Sequence, residues 1–151
     1  MDIYSGGKYP SNKLSNFAIH PFELDGVKIT SMEGFLQSLK FSNPDMQEYV
    51  CTLHGAGAKK KGYGKNWWTT RKLYWRGKEI DRDGPEYQEL LDRAYFALAK
   101  NEGFRRALVS TGTATLTHKM GKKKKNETIL TEQEFCSRLM RVRNRIAEGE
   151  L

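Results

Sequence analysis

Apolar residues recur along this chain with two periods, and the periods predict its elements. Phe22, Leu24, Val27 and Ile29 alternate with polar residues on either side of Asp25-Gly26, the pattern of a β-hairpin closed by a tight turn that needs positive φ angles. Met32, Phe35, Leu36 and Leu39 then repeat at helical spacing behind Ser31, which predicts a capped helix running to about Phe41. Asn43-Pro44 opens the next helix, with Met46, Tyr49, Val50 and Leu53 on one face, Cys51 beside it and Gly55 as its stop. The clearest stripe follows Gly84-Pro85, where Tyr87, Leu90, Leu91, Ala94, Tyr95 and Leu98 share one helical face and predict a helix central to the core. A short helix is expected from Gly103 to Val109, then a Thr-rich extended piece from Thr113 to Thr117. Thr131 and Glu134 form a capping box for the last helix, which carries Phe135, Leu139, Val142 and Ile146 inward and Arg138, Arg141 and Arg145 outward. At the start, Asp2 to Tyr4 reads as a short strand and Tyr4 to Asn16 as irregular backbone. The expected architecture is one domain over residues 1–151, mainly α with a small β element, in the α+β class.

The chain has 151 residues, 38% hydrophobic and 29% charged, a composition that supports a packed core and excludes disordered and fibrous classes. The longest wholly apolar run, Ala94 to Ala99, is far short of the ~20 residues a spanning helix needs, and Met1 to Tyr4 begin no basic-then-apolar leader. A cytoplasmic protein with no membrane partner is the expectation. Cys51 and Cys136 fall on or beside apolar helical faces, far apart in sequence, and read as buried free thiols.

Charge changes the picture once it is localised. The formal net charge is +8, from 26 Lys and Arg against 18 Asp and Glu. Seven basic residues lie between 55 and 76 (Lys59, Lys60, Lys61, Lys65, Arg71, Lys72, Arg76) and five between 119 and 125 (Lys119 and Lys122 to Lys125), with no acid in either stretch. Without these twelve the chain is net negative. A domain polarised in this way suggests an anionic partner.

Two constellations could carry chemistry. On the helix after Ser31, the positions Glu33, Gln37 and Lys40 share the face opposite the apolar stripe, so an acid, an amide and an amine look the same way. The spacing also fits a solvated ladder of side-chain pairs. As a site, it offers a carboxylate to steady positive charge and a lysine to hold phosphate or act as an amine nucleophile. Glu33 sits in the first helical turn, where the macrodipole favours its ionised form and hence an electrostatic role over that of a general acid. The second constellation is the Gly-rich, basic stretch from Gly55 through Gly62 and Lys65 to Arg76, which holds all three tryptophans, Trp67, Trp68 and Trp75. Glycines admit a phosphate, lysines supply charge and indoles offer stacking surfaces, although one or two of the tryptophans are expected in the core. It is not a Walker loop. His20, His54 and His118 have no metal-ligand spacing, so no metal and no cofactor are expected. His118 follows the extended piece and precedes Lys119-Met120-Gly121, a place for a loop at a cleft.

The segments Leu14-Ser15-Asn16-Phe17, Phe22 to Ile29, and Ser31-x-Glu33-x-x-x-Gln37-x-x-Lys40-Phe41 resemble the NADAR family in order and spacing. So do Leu108-x-x-Thr111-Gly112-x-Ala114-x-Leu116 and Leu139-Met140-x-Val142-Arg143. The resemblance implies a single-domain helical fold and an N-glycosidase that cleaves between a ribose C1 and a base or amine nitrogen. The substrates it implies are ADP-ribose on the guanine amino group of DNA or RNA, or a small molecule such as a ribosylamino-pyrimidine phosphate of riboflavin biosynthesis. A non-catalytic module that binds ADP-ribose or nucleic acid is the competing class. By resemblance, Glu33 stabilises an oxocarbenium-like state, and Lys40 either contacts phosphate or forms a Schiff base with ring-opened ribose. Asn16, Gln37, Thr111 and Gly112 are carried over as substrate-binding positions and Trp68 or Trp75 as the pocket tryptophan, while Gly62 and Lys65 are substrate-binding candidates from the basic stretch itself. The chain departs from the family's pattern at Leu116-Thr117-His118-Lys119-Met120-Gly121, which lacks the acid and the tryptophan usual there. Either His118 replaces that acid as proton donor or substrate choice has shifted. The stretch from Arg76 to Asp83 is longer than the pattern expects.

Overall fold

The alternating pattern and the turn chemistry build the first hairpin as expected. In the computed structural model, which describes residues 1–151, β1 (Phe22–Leu24) pairs antiparallel with β2 (Val27–Ile29) in the register Phe22 opposite Ile29. Asp25 and Gly26 take φ of 50° and 80°, the left-handed values a two-residue turn requires. Phe22, Leu24, Val27 and Ile29 are buried while Glu23 and Lys28 face out. A four-residue helix, α1 (Ser11–Leu14), precedes this hairpin, and the expected first strand is reduced to one parallel bridge between Asp2 and Thr117, with Ile3 N–H donating to Thr117 O at 2.8 Å.

Helix α2 (Met32–Ser38) begins at Ser31, whose hydroxyl accepts from Gly34 N–H at 3.1 Å and donates to Leu53 O at 2.9 Å. The same side chain therefore caps α2 and ties it to the end of α3 (Pro44–Cys51). The helices touch so closely at Gly34 that a Cβ there would lie 2.5 Å from Leu53 O. Helix α3 is turned from its expected orientation: Gln47, Val50 and Cys51 face in and Tyr49 faces solvent. The reason is polar. Gln47 donates to Ser38 O and Tyr74 O and accepts from Arg76 N–H, satisfying three main-chain groups that no apolar residue could.

Gly55, expected as a stop, instead starts α4 (Gly55–Gly62), which lies against α2 through buried Ala58 and Gly62. A short α5 (Trp67–Thr70) and a second hairpin follow, β3 (Lys72–Trp75) with β4 (Lys78–Asp81); α5 and β3 lie in the Gly-rich basic stretch, and β4 falls within the longer segment from Arg76 to Asp83. Helix α6 (Pro85–Leu98) buries all six residues of its stripe and touches the first hairpin, β4 and the last helix. Helix α7 (Glu102–Ser110) and the capping-box helix α8 (Glu132–Ala147) close the domain. The result is a mixed α+β domain, mainly helical, around one apolar cluster. Both cysteines are free and buried, and burial pushes their thiols up to about 11 for Cys51 and about 12 for Cys136. No helix is long and apolar enough to cross a membrane.

Arg138 points inward rather than outward. Its guanidinium reaches Asp92 at 2.9 Å and Gln88 Oε1 at 2.6 Å, and Gln88 in turn donates to Glu134. Glu134 also takes a two-pronged pair from Arg82, which is 0% exposed. A buried guanidinium with a bidentate carboxylate tolerates its desolvation only while both partners remain. Arg82→Ala is therefore expected to lower the unfolding free energy by about 3–5 kcal/mol in a urea titration, because it strands the Glu134 charge. A loss below about 1 kcal/mol would show that water reaches this network.

Candidate functional site

The polar face of α2 opens onto a cleft of about 890 Å3. Its other walls are the Ser15–Phe17 segment, the end of α4 with the loop that leads into α5, and the loop from His118 to Leu130. Asn16 joins the first of these walls to α2: its main-chain O accepts from Glu33 N–H at 3.0 Å, and its Oδ1 accepts from the buried Tyr95 hydroxyl at 2.9 Å. With Oδ1 so engaged, the amide N–H group is the part of Asn16 free for a ligand.

Glu33 and Gln37 stand one turn apart, with Gln37 Nε2 donating to Glu33 Oε2 at 2.6 Å. The other end of that amide, Gln37 Oε1, is buried and accepts no hydrogen bond. It faces Gly62, where a Cβ would sit 1.9 Å from it, so only glycine lets α4 come this close. Lys40 reaches along the same face to Gly62 O at 3.5 Å. Burial raises the Glu33 carboxyl above its ordinary range, against the lowering pull of the Gln37 hydrogen bond and of Lys59, Lys40 and His118. Burial likewise lowers the Lys40 ammonium, offset in part by Glu33. This corrects the expectation from the helix dipole: at Glu33 desolvation outweighs the favourable end of a seven-residue helix. A carboxyl shifted this way can take up a proton during a reaction as well as steady positive charge.

His118 is oriented by main chain. Its Nδ1 lies 2.6 Å from Ile3 O, and because a carbonyl only accepts, Nδ1 carries the hydrogen and Nε2 is the nitrogen left for chemistry. Its own N–H donates to Glu132 Oε2, and its ring meets Phe135 edge-on at 5.5 Å.

Of the positions singled out from sequence, Asn16, Glu33, Gln37, Lys40, Gly62, Lys65, Trp68 and His118 all line this cleft. Three do not. Trp75 is a core residue, edge-on to Phe35 at 5.1 Å with its indole N–H donating to Asp25 at 2.8 Å. Thr111 ends α7, where its hydroxyl accepts from Arg143 at 2.8 Å, and Gly112 supplies the left-handed turn beyond it, at φ 62°. Thr111 ties the end of α7 to α8, Gly112 turns the chain beyond it, and neither lines the cleft. Two further members of the basic stretch, not singled out individually from sequence, also line the cleft: Trp67, packed against Trp68 at 6.4 Å, and Lys59, which acts electrostatically on both Glu33 and Lys40. For Lys59 the signal was the helical spacing of the Gly-rich stretch, masked by its glycines, whereas Trp67 belongs to the four-residue α5. No group of three His, Cys, Asp or Glu side chains is placed to hold a metal ion.

The sequence profile of the family described as Bacteriophage protein GP30.3 matches residues 8–144. A 17.1 kDa protein of the Gp30–rIII intergenic region of Enterobacteria phage T4 is 37% identical over 147 residues, which cover 95% of this chain and 97% of that protein. Among solved structures, the NMR structure of the E. coli protein YbiA superposes with a TM-score of 0.66 at 18% identity, over 99% of this chain and 86% of YbiA. The fold is NADAR-like.

A buried carboxyl with a raised pKa leaves a signature in stability. Between the unfolded value near 4.5 and the higher folded value, the native state holds the proton more tightly, so stability falls as pH rises through that window. Glu33→Gln removes the cost. Its melting temperature relative to wild type is expected to improve as pH rises from about 4 to 8 in paired thermal melts. A difference that stays flat across that range would place the carboxyl in water.

Proposed function

We propose that this chain, which belongs to the bacteriophage protein GP30.3 family and carries a NADAR-like fold, is an N-glycosidase that removes ADP-ribose from guanine in nucleic acid. The observation that supports this most is the placement of the Glu33 carboxyl in the wall of the cleft, with Lys40, Lys59 and His118 within electrostatic reach. Its volume lies near the upper end of the roughly 300–1,000 Å3 usual for ligand sites, room for a dinucleotide-sized group rather than one sugar. Partly exposed Trp68 and the lysines on two sides add stacking and charge for a base and its phosphates.

Scission leaves the bonding pair on the guanine nitrogen and positive charge on the ribose C1–O4 unit. The ionised Glu33 side chain faces that charge and lowers the barrier most at the transition state, where the charge is largest. Water then bonds to C1 and gives its proton to Glu33, while the departing nitrogen takes a proton from protonated His118 Nε2. Lys40 and Lys59 hold the diphosphate. Gln37 positions Glu33 through the 2.6 Å bond, and Asn16 offers its amide to the sugar.

One observation favours a smaller substrate: two cations, Lys40 and Lys59, act at Glu33, which is enough for the single phosphate of a ribosylamino-pyrimidine phosphate. Salt separates the two, because turnover of a polymer weakens steeply as ionic strength rises and that of a small molecule does not.

Incubated with an oligonucleotide ADP-ribosylated on guanine, the wild type is expected to release free ADP-ribose. Glu33→Gln should lower kcat by about 100-fold or more with binding retained, and His118→Gln by about tenfold or more. The wild-type rate should fall as pH drops through the raised Glu33 pKa, since the ionised form is needed. Binding without release at any pH would leave a non-catalytic module instead.

A further inference from the structure

A second, shallower groove of about 560 Å3 adjoins the cleft and shares Lys40 and Lys65 with it. Phe41 and Tyr49 are its aromatic walls. Lys65 Nζ stands 4.6 Å from the centre of the Phe41 ring, and Lys61 Nζ 5.7 Å from that of Tyr49. Asp45 is the one carboxylate in its lining, so three ammonium groups bear on the groove against a single acid. Tyr49 is 54% exposed, since Gln47 rather than Tyr49 turns inward from α3. On the cleft side of the shared lysines, Tyr63 and Trp68 are 85% and 49% exposed. Three rings left in water beside lysines that link one depression to the next form a surface for alternating flat and anionic groups.

We propose that this groove is a second nucleotide subsite, which receives the base and phosphate adjacent to the modified guanine when the substrate is a single strand. The proposal rests on the reading of the cleft as an N-glycosidase site for nucleic acid and narrows its substrate class. In a single strand the neighbouring base is free to leave its stack and lie on Tyr49, while the intervening phosphate meets Lys65 where the two depressions join. In a duplex both faces of that base are covered by its neighbours, and the ring of Tyr49 has nothing to stack on.

The test is binding of an unmodified single strand of about eight nucleotides, and of its duplex, to the full chain by fluorescence anisotropy. Tyr49→Ala and Lys61→Glu are each expected to raise the single-strand Kd at least about fivefold, and Tyr49→Phe, which keeps the ring, to stay within about twofold of wild type. Hydrolysis of ADP-ribosylated guanosine, too short to reach the groove, should be unchanged in all three. An unaltered single-strand Kd in Tyr49→Ala, an equal loss on the duplex, or an equal loss on the nucleoside overturns the subsite. If the wild type hydrolyses no modified guanine, the reading of the cleft fails, while the strand-binding comparison still decides the groove.

Discussion

Helices α2 and α4 meet where Gln37 lies against Gly62, at a separation that leaves no room for even a methyl group. That contact fixes the amide of Gln37, and the amide fixes Glu33 through its one short hydrogen bond. The same approach brings Gly62 O to Lys40. Three side chains of one helical face are thus held by the backbone of a neighbouring helix, which is stiffer than any side-chain contact could be. The arrangement is locally unfavourable. A buried amide oxygen without a donor costs on the order of 1–3 kcal/mol, and a desolvated carboxylate adds to it. The apolar cluster around α6 and the Arg82–Glu134 pair hold the domain together despite this, so the strained corner survives because the rest of the fold supports it.

Charge is organised around the same corner. The two basic segments of the sequence are separated by more than 40 residues of chain, yet Lys59 and Lys65 from one and Lys122 from the other both line the cleft. Three of the twelve cations in these segments therefore meet at one opening, while Arg71 and Lys123 are paired with Asp83 and Glu132. A funnel of this kind raises the local concentration of an anionic ligand before any specific contact forms.

The elements that local chemistry dictates could be read directly. The Asp-Gly turn, the α6 stripe and the Thr131–Glu134 capping box each depend on residues within a few positions of one another, and each lies where its pattern places it. The shared face of Glu33, Gln37 and Lys40 follows from helical geometry alone. What could not be read depends on partners distant in sequence. The stretch GAGAKKKG has poor helix propensity, and α4 forms because Ala58 and Gly62 pack on α2. Helix α3 turned about its axis to let Gln47 satisfy the second hairpin, and Arg138 and Arg143 turned inward to meet Asp92, Gln88 and Thr111. Periodicity counts apolar positions and does not see such polar anchors. The tryptophans show the same limit: composition placed indole near the site, but only the tertiary fold sends Trp75 to the core and leaves Trp68 at the opening.

The ring of His118 takes its hydrogen position from the carbonyl of residue 3, a group every amino acid possesses. Mutation of that residue's side chain cannot delete the acceptor; it can only disturb the packing that keeps Ile3 buried. The imidazole's tautomeric form is therefore inherited from the path of the polypeptide rather than from the identity of any neighbour. An apolar residue of similar bulk in place of Ile3 would leave that acceptor, and with it the ring's hydrogen position, where it is.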